Sequence, residues 1–318
     1  MSDGASLGVR LRERDLTAAA PALNLLESRA PADRLQIDAL LAEVAPQALG
    51  AEAPAHVVGI TGPPGAGKSS LLSELRGGWR ARERSVAMLV VDPSSRRSGG
   101  ALLGDRARIA ADPEDGGVFI RSTATGEQLG GLAPATRAGV QALAAAFDVV
   151  VIETVGVGQS ETDVADVADT VAVVVQPGSG DVLQFLKSGI MEIPDVLVVT
   201  KADLGRIATA AMRDLRAALR SLGARETRVV AVSSVPPASG IDELLDALDE
   251  HRARVDLPAR RLRARRQAAL ADFAAEHGAR GLRALGGRRA AEERLGAQDP
   301  GLDASALRGV LEREAGLA

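Results

Sequence analysis

A glycine-rich octapeptide between two apolar segments constrains this chain more than any other feature. Residues 62–69 read GPPGAGKS, after the apolar run HVVGIT at 56–61 and before the helix-like run SLLSEL at 70–75. The pattern G-x-x-x-x-G-K-[ST] between a buried strand and a helix is typical of a loop whose backbone N–H groups surround phosphate oxygens. Its lysine reaches the outer phosphates, and its serine hydroxyl ligates Mg²⁺. The octapeptide therefore predicts a nucleotide site on a strand–loop–helix unit.

The composition narrows the class of protein. Hydrophobic residues make up 46 % of the 318 residues but aromatic residues only 2 %, and the formal net charge is −4. Few stacking side chains and a negative net charge argue against nucleic-acid binding. The chain has no cysteine, and His56, His251 and His277 lie far apart. We expect no disulfide, no thiolate metal site and no histidine-rich metal carrier.

Targeting signals are not apparent in the sequence. We recognise no signal peptide and no apolar run of membrane-spanning length. The absence of cysteine fits a reducing compartment. We therefore expect a cytoplasmic protein with no membrane partner and no nucleic-acid partner.

Short valine-rich runs alternate with helix-compatible segments in the middle of the chain. The runs are 57–60, 86–91, 149–152, 171–175, 196–199 and 229–232, and helical spacing marks segments such as 136–146 and 207–222. Near-continuous apolar runs are typical of parallel strands that are covered on both faces. The pattern predicts an α/β fold with a doubly wound, mostly parallel sheet.

The flanking regions contain no strand-like run. We predict a helical N-terminal extension over 1–55, an α/β domain over 56–254 and a helical C-terminal arm over 255–318. Nine arginines lie between residues 260 and 289. A solvated helix explains this basic stretch more simply than nucleic-acid binding does.

Acidic residues follow two of the predicted strands. Asp92 ends the second run and suits Mg²⁺, although Asp-Pro-Ser is also good turn chemistry. Asp105, after a glycine-rich stretch, is a candidate second carboxylate near the metal or a residue of a mobile loop. Glu153 opens the sequence E-T-V-G, which resembles a GTPase switch region. There the acid orients the Mg²⁺ shell, and the N–H of Gly156 senses the γ-phosphate.

Three later segments also follow strand ends. Asp181 and Lys187 lie in a glycine-rich loop and are candidates for contacts that change with nucleotide state, although Asp181 also suits a helix cap. In Thr200-Lys201-Ala202-Asp203 the carboxylate can accept guanine N1–H and the exocyclic amine, and Lys201 can lie across the base. Backbone groups of Ser233, Ser234 and Val235 would contact the guanine carbonyl. Together these segments favour GTP over ATP.

These motifs resemble the MeaB/ArgK/MMAA group of P-loop GTPases, chaperones of adenosylcobalamin-dependent acyl-CoA mutases of the methylmalonyl-CoA mutase type. The likeness spans about residues 56 to 240. It rests on GITGPPGAGKS at 59–69, VDPSS at 91–95, ETVGVGQSE at 153–161 and the spacing of Gly180, Asp181, Gln184 and Lys187.

The resemblance implies a dimerising P-loop GTPase that binds GTP/GDP and Mg²⁺, gates cofactor loading and protects the mutase. The C-terminal arm would form a homodimer. Lys68, Glu153, Asp181 and Lys187 would serve hydrolysis and its relay to the partner. Phosphate contacts would come from Gly62, Pro63, Pro64, Gly65, Ala66, Gly67, Lys68, Ser69 and Ser70, and Mg²⁺ contacts from Ser69, Asp92, Asp105 and Glu153.

The sequence departs from the family at three places. Thr200 stands where the family has Asn, Arg96-Arg97 replaces a Pro-apolar pair, and Phe185-Leu186 is more apolar than usual. An Asn would tie the base-recognition segment to the phosphate loop, so its replacement predicts weaker guanine binding.

Two alternative functions remain open at this point. A P-loop kinase, which ArgK-type names suggest, would require an acceptor pocket and usually ATP. A metallochaperone GTPase of the same structural class would normally carry Cys or His ligands near its switches.

Overall fold

The computed structural model describes residues 3–92, 114–124, 132–154, 164–178, 194–224 and 226–317. The chain forms two compact units. The sheet unit comprises His56–Ala133 and Asp148–Val255, and the helical unit comprises Met1–Ala55, Pro134–Phe147 and Asp256–Ala318. Because the helical unit draws on both terminal segments and a central one, the three-domain division remains a prediction.

The sheet unit is built on seven parallel strands in the order β3-β2-β4-β1-β5-β6-β7. The strands are β1 His56–Thr61, β2 Val86–Asp92, β3 Val118–Ala124, β4 Val149–Thr154, β5 Thr170–Val175, β6 Val196–Val199 and β7 Arg228–Ala231. The six predicted valine-rich strands are confirmed, and so is the α/β parallel fold.

Helices follow the strands or form the second unit. In chain order they are α1 Gly4–Arg12, α2 Ala19–Leu26, α3 Arg34–Glu43, α4 Pro46–Leu49, α5 Lys68–Ala81, α6 Pro134–Ala146, α7 Arg206–Ser221, α8 Ile241–Arg254, α9 Leu257–Ala284, α10 Arg288–Gly296 and α11 Ala304–Glu314. Within the sheet unit, α5 and α8 bury leucines and Trp79 against the alternate valines of β1, β4, β5, β6 and β7. This apolar contact fixes the helix that begins at the glycine loop against the strand that precedes it.

Strand β3 was not predicted. Its sequence, VFIRSTA, lies at the edge of the sheet, where it pairs only with β2 among the described strands. Residues 118–122 are half-buried rather than buried. An edge strand with partly solvated side chains does not need a continuous apolar run, so periodicity gave no signal.

The helical unit has its own apolar core, formed by α9, α10 and α11 around Phe273, Leu295 and Leu311. Several arginines of the basic stretch bind groups within this unit. Arg261 donates to the carbonyl oxygens of Ala53 and Ala55 at 2.6 and 2.7 Å, and Arg265 forms a bidentate pair with Glu52. These bonds give the basic stretch a structural role. Within the described residues, no helix is long and apolar enough to cross a membrane.

Candidate nucleotide-binding site

The glycine loop between β1 and α5 takes a conformation that other residues would strain. Gly62 has φ 146°, and a Cβ there would lie 2.2 Å from the carbonyl oxygen of Val174 on β5. Gly67, with φ 90°, occupies the cap position at which α5 begins. The loop therefore passes close to β5 and turns directly into the helix N-terminus, where unpaired N–H groups attract anions.

Lys68 folds back over this loop. Its side chain is 7 % exposed, and its Nζ donates to the carbonyl oxygens of Gly62 at 2.8 Å and Pro63 at 3.3 Å. The ammonium is thus held at the centre of the loop, within reach of phosphate oxygens bound there.

Thr200 and Lys201 hold the loop from its other side. The Thr200 hydroxyl, which is buried, lies 2.6 Å from the carbonyl oxygen of Ala66 and 3.2 Å from that of Val175. A hydroxyl has one proton, and the shorter contact is the stronger bond. Lys201 adopts φ 53°, and its Nζ donates to the carbonyl oxygen of Gly65 at 3.2 Å and to Oε1 of Gln176.

The Thr200 bond also orients a peptide group. In a trans peptide the C=O of one residue and the N–H of the next point in opposite directions. Because Thr200 binds the oxygen of Ala66, the N–H of Gly67 is directed away from Thr200. The tie between base segment and loop that we expected Asn to provide is therefore made by the threonine.

Asp203 and Ser233 meet at the neighbouring strand ends. Asp203 is exposed in a short 3₁₀ helix at Ala202–Leu204, and its Oδ1 accepts a hydrogen bond of 2.8 Å from Ser233 Oγ. Ser233 Oγ in turn accepts one from the N–H of Val235 at 3.2 Å. Ser234 is half-buried beside them. In this contact only one carboxylate oxygen of Asp203 binds Ser233. The second oxygen and the backbone after β7 lie at the carboxyl end of the sheet.

Oxygen ligands suited to Mg²⁺ lie beside the loop. Glu153, 3 % exposed at the end of β4, pairs in register with Ile60 of β1 and Val90 of β2. Its register partners belong to the core packed on α5, so its side chain lies on the face that α5 covers. Ser69 lies in the first turn of α5. Hydroxyl and carboxylate oxygens are the ligands that Mg²⁺ prefers, so these residues fit the ion.

Five predicted site residues lie wholly or partly outside the described residues. The side chain of Asp92 and the whole of Asp105, Gly156, Asp181 and Lys187 lie outside the described residues. Only the backbone of Asp92 is placed, at the end of β2.

Two features of the site were missed from sequence. Ser233 orients Asp203 with its side chain, whereas we expected only backbone contacts from it. Thr61 and Thr154, at the ends of β1 and β4, share a buried hydrogen bond of 3.1 Å. A hydroxyl residue at the end of each strand was the only available signal, and that is common in loops.

Comparison with known proteins places this site in a family. The family described as methylmalonyl Co-A mutase-associated GTPase MeaB matches residues 19–279. A Mycobacterium bovis protein named as a GTPase is 42 % identical over 253 residues, which cover 77 % of this chain and 74 % of that protein. A Pyrococcus abyssi protein, also named as a GTPase, is 48 % identical over 206 residues, 62 % of this chain and 63 % of that protein.

Further likeness comes from a eukaryotic protein and two solved structures. A Caenorhabditis elegans protein named methylmalonic aciduria type A homolog, mitochondrial, is 41 % identical over 194 residues, 58 % of this chain and 49 % of that protein. A crystal structure of a LAO/AO transport system kinase superposes with TM-score 0.66 at 26 % identity, over 98 % of this chain and 96 % of that one.

The second solved structure shows the fold alone. HypB from Helicobacter pylori, in complex with nickel, superposes with TM-score 0.50 at 20 % identity over 67 % of this chain and 93 % of that one. The family match covers most of the chain, including the glycine loop and the base segment. The chain therefore belongs to the MeaB family of methylmalonyl Co-A mutase-associated GTPases.

Proposed function

We propose that this GTPase binds GTP with Mg²⁺, hydrolyses it, and uses the cycle as a chaperone of an adenosylcobalamin-dependent acyl-CoA mutase. The observation that carries the GTP assignment is the segment 200–203. One end of it binds the phosphate loop through Thr200, and the other presents Asp203 beside Ser233. Guanine recognition and phosphate binding are thereby joined in one short, doubly anchored segment.

The residues in the loop act by position and charge. Lys68 would exchange its bonds to the carbonyls of Gly62 and Pro63 for bonds to phosphate oxygens, which brings positive charge to the group that is transferred. Ser69 and Glu153 would hold Mg²⁺ directly or through water, and the bound ion would supply positive charge that neutralises phosphate charge. The N–H of Gly67 would donate into the loop.

Residues outside the described ranges complete the proposal. Asp92 and Asp105 would join the metal shell, and Gly156 would sense the γ-phosphate. Asp181 and Lys187 would relay nucleotide state to the partner. The family is described as methylmalonyl Co-A mutase-associated GTPases, which supports association with that mutase, and the name of the Caenorhabditis elegans relative fits it. Gating of cofactor loading, protection of the mutase and a homodimer formed by residues 255–318 are our proposals.

The test is GTP hydrolysis by the full chain, alone and with a methylmalonyl-CoA mutase, beside an ATP control. We expect GTP-selective turnover that rises when the mutase is added. Asp181→Ala and Lys187→Ala should lose the increase that the mutase causes. A GTP-selective rate that ignores the mutase would remove the mutase from the proposal and leave the GTPase.

Competition between GTP and ATP distinguishes a GTPase from a kinase, because a kinase would usually prefer ATP. One similar structure is described as a transport system kinase, yet the acceptor carboxylate of Asp203, which Ser233 orients, suits guanine rather than adenine. Asp203→Asn keeps the size of the side chain but replaces an acceptor oxygen by a donor NH₂. We expect it to reduce the preference for GTP. Equal preference in the unchanged chain would sink the guanine assignment.

A further inference from the structure

A groove of about 560 Å³ lies in the sheet unit between the second half of α7, the edge strand β7 and the start of α8. Arg216, Arg220 and Arg228 line it, against one carboxylate from Glu243. Its other lining residues include Leu219 and Val229, which are buried. The groove thus combines an apolar floor with a cationic rim, and its volume is in the range of small-molecule sites.

The three arginines differ in how they are engaged. Arg216 donates from Nη2 to the carbonyl oxygen of Val229 at 3.1 Å, so its guanidinium is fixed across β7. Arg228 lies 3.8 Å from Glu250 in a half-exposed ion pair. The guanidinium of Arg220 makes no hydrogen bond or ion pair within the part of the chain that the structure describes, although its backbone carbonyl accepts from the N–H of Gly223. At least one planar, five-donor group is therefore available for an anion.

The groove is separate from the nucleotide site. Arg228 begins β7, whereas Ser233, which contacts Asp203, lies five residues further along the same direction, about 16 Å away at the usual rise of a strand. Along α7, Arg220 is in the last turn, at the opposite end from Asp203. A ligand in this groove would occupy the amino end of the sheet.

We propose that this groove is a second ligand site, for a small organic dianion whose phosphate or paired carboxylates bind the arginines. The apolar body of the ligand would rest on Leu219 and Val229. The positive charge of Arg220 also interacts favourably with the dipole at the C-terminus of α7. That interaction does not explain why Arg228, on β7, lines the same groove. An added peptide strand fits less well, because the Val229 oxygen already accepts a bond from Arg216.

The experiment uses the full chain saturated with GDP and Mg²⁺, so that the phosphate loop is filled. Phenyl phosphate is titrated at pH 7.5, with benzoate and inorganic phosphate as comparisons. Binding is followed by calorimetry and by the arginine Nε–H signals in NMR spectra. Arg220→Gln and Arg228→Gln are the test variants. Arg213→Gln is the matched control, because Arg213 is on the same helix, is exposed, pairs with Asp214 and does not line the groove.

We expect one site per chain that prefers phenyl phosphate to benzoate and to inorganic phosphate. Arg220→Gln and Arg228→Gln should each weaken it about tenfold, the usual effect of losing a charge-assisted bond. Arg213→Gln should leave it unchanged. Arg220→Lys, which keeps the charge but not the fork, should fall between.

Other results would overturn the proposal. No saturable binding, or equal weakening by Arg213→Gln, would show only diffuse charge. Tighter binding of hexaglutamate than of phenyl phosphate would assign the groove to an acidic protein segment instead. Thermal unfolding of each variant checks that the fold is kept. GTP turnover should not change in any of them, so failure here leaves the proposed function standing.

Discussion

The two ends of the sheet are fixed by opposite chemistry. At the carboxyl end, side-chain donors from Lys68, Thr200 and Lys201 bind carbonyl oxygens of the glycine loop. At the amino end, carboxylates bind backbone N–H groups: Asp169 accepts from Val57 at 2.8 Å and Asp195 from Val171 at 2.9 Å.

The contact between an aspartate carboxylate and a backbone N–H recurs at the amino end of the sheet. Asp148 precedes β4, Asp169 precedes β5 and Asp195 precedes β6, and each carboxylate binds the backbone N–H of a residue at the start of the adjacent strand. Each of these aspartates also donates its own N–H to a residue at the same place. Such reciprocal pairs fix register at this end. Holding carbonyls at the other end leaves loop N–H groups for an anion. Substitutions at the amino end should therefore change the free energy of unfolding. Substitutions at the carboxyl end should change nucleotide binding.

The largest expected effect is on hydrolysis at the carboxyl end. Lys68→Ala removes the buried ammonium and should lower GTP turnover about 10³-fold, as expected for the loss of one preorganised charge. Single-turnover hydrolysis measures this, and the melting temperature should change little. A large loss of stability with the rate preserved would break the comparison, since Lys68 would then hold the fold rather than the phosphate.

A large effect on stability is expected at the amino end. Asp169 is 1 % exposed, and Asp169→Ala leaves the buried N–H of Val57 without this acceptor. Such a loss costs about 1–3 kcal/mol of unfolding free energy. Denaturant titration with GDP absent measures it. The folded Asp169→Ala variant should bind GTP with nearly unchanged affinity. A parallel loss of affinity would contradict the separate roles of the two ends of the sheet.

Thr200 sharpens the comparison by a smaller effect. Thr200→Val keeps the shape but loses the bond to Ala66, worth about 1 kcal/mol, so GTP affinity should fall about fivefold. Thr200→Asn is the matched control and should retain most of the affinity, because its amide can donate to the same oxygen. Displacement of fluorescent GDP by GTP measures the GTP affinity of the unchanged chain and of both variants. Equal affinity in Thr200→Val would show that the loop holds its shape without this tie.

The apolar runs of the buried strands predicted the fold, and the glycine-loop motif predicted the site. The runs at 149–152 and 171–175 are apolar because both faces are covered, so pattern alone located β4 and β5. Bonds between distant segments gave no such signal. Thr200 to Ala66 spans 134 positions and Asp203 to Ser233 spans 30, and one threonine or serine hydroxyl looks like another before folding.

A chain of side chains at the amino end also escaped prediction. Thr170 Oγ1 lies 2.8 Å from Nε2 of His56 and 2.8 Å from Nδ1 of His251, whose Nε2 lies 3.1 Å from Asp195. The hydroxyl has one proton, so it donates to one ring and accepts from the other.

That arrangement makes stability depend on pH in one direction. Burial lowers the pKa of His56, against the opposing influence of Asp249 and Asp169, while Arg252 adds to the lowering. Because the folded-state pKa lies below the unfolded value of about 6.5, the unfolded chain binds the proton more tightly. The contribution is complete above pH 6.5 and is lost as pH falls through that value toward the folded-state pKa.

The smallest expected effect is therefore on the slope of melting temperature against pH. The melting temperature should rise between pH 5 and pH 7, and His56→Gln should flatten that rise, since the amide can still reach Thr170 but does not titrate. His277→Gln, in the helical unit, removes a histidine elsewhere and should leave the slope of the sheet unit in place. Calorimetry on the GDP-free chain separates the two variants. Because His56 begins the strand that ends at the glycine loop, an unchanged GDP affinity across this pH range would show that the amino end sets stability without reaching the nucleotide.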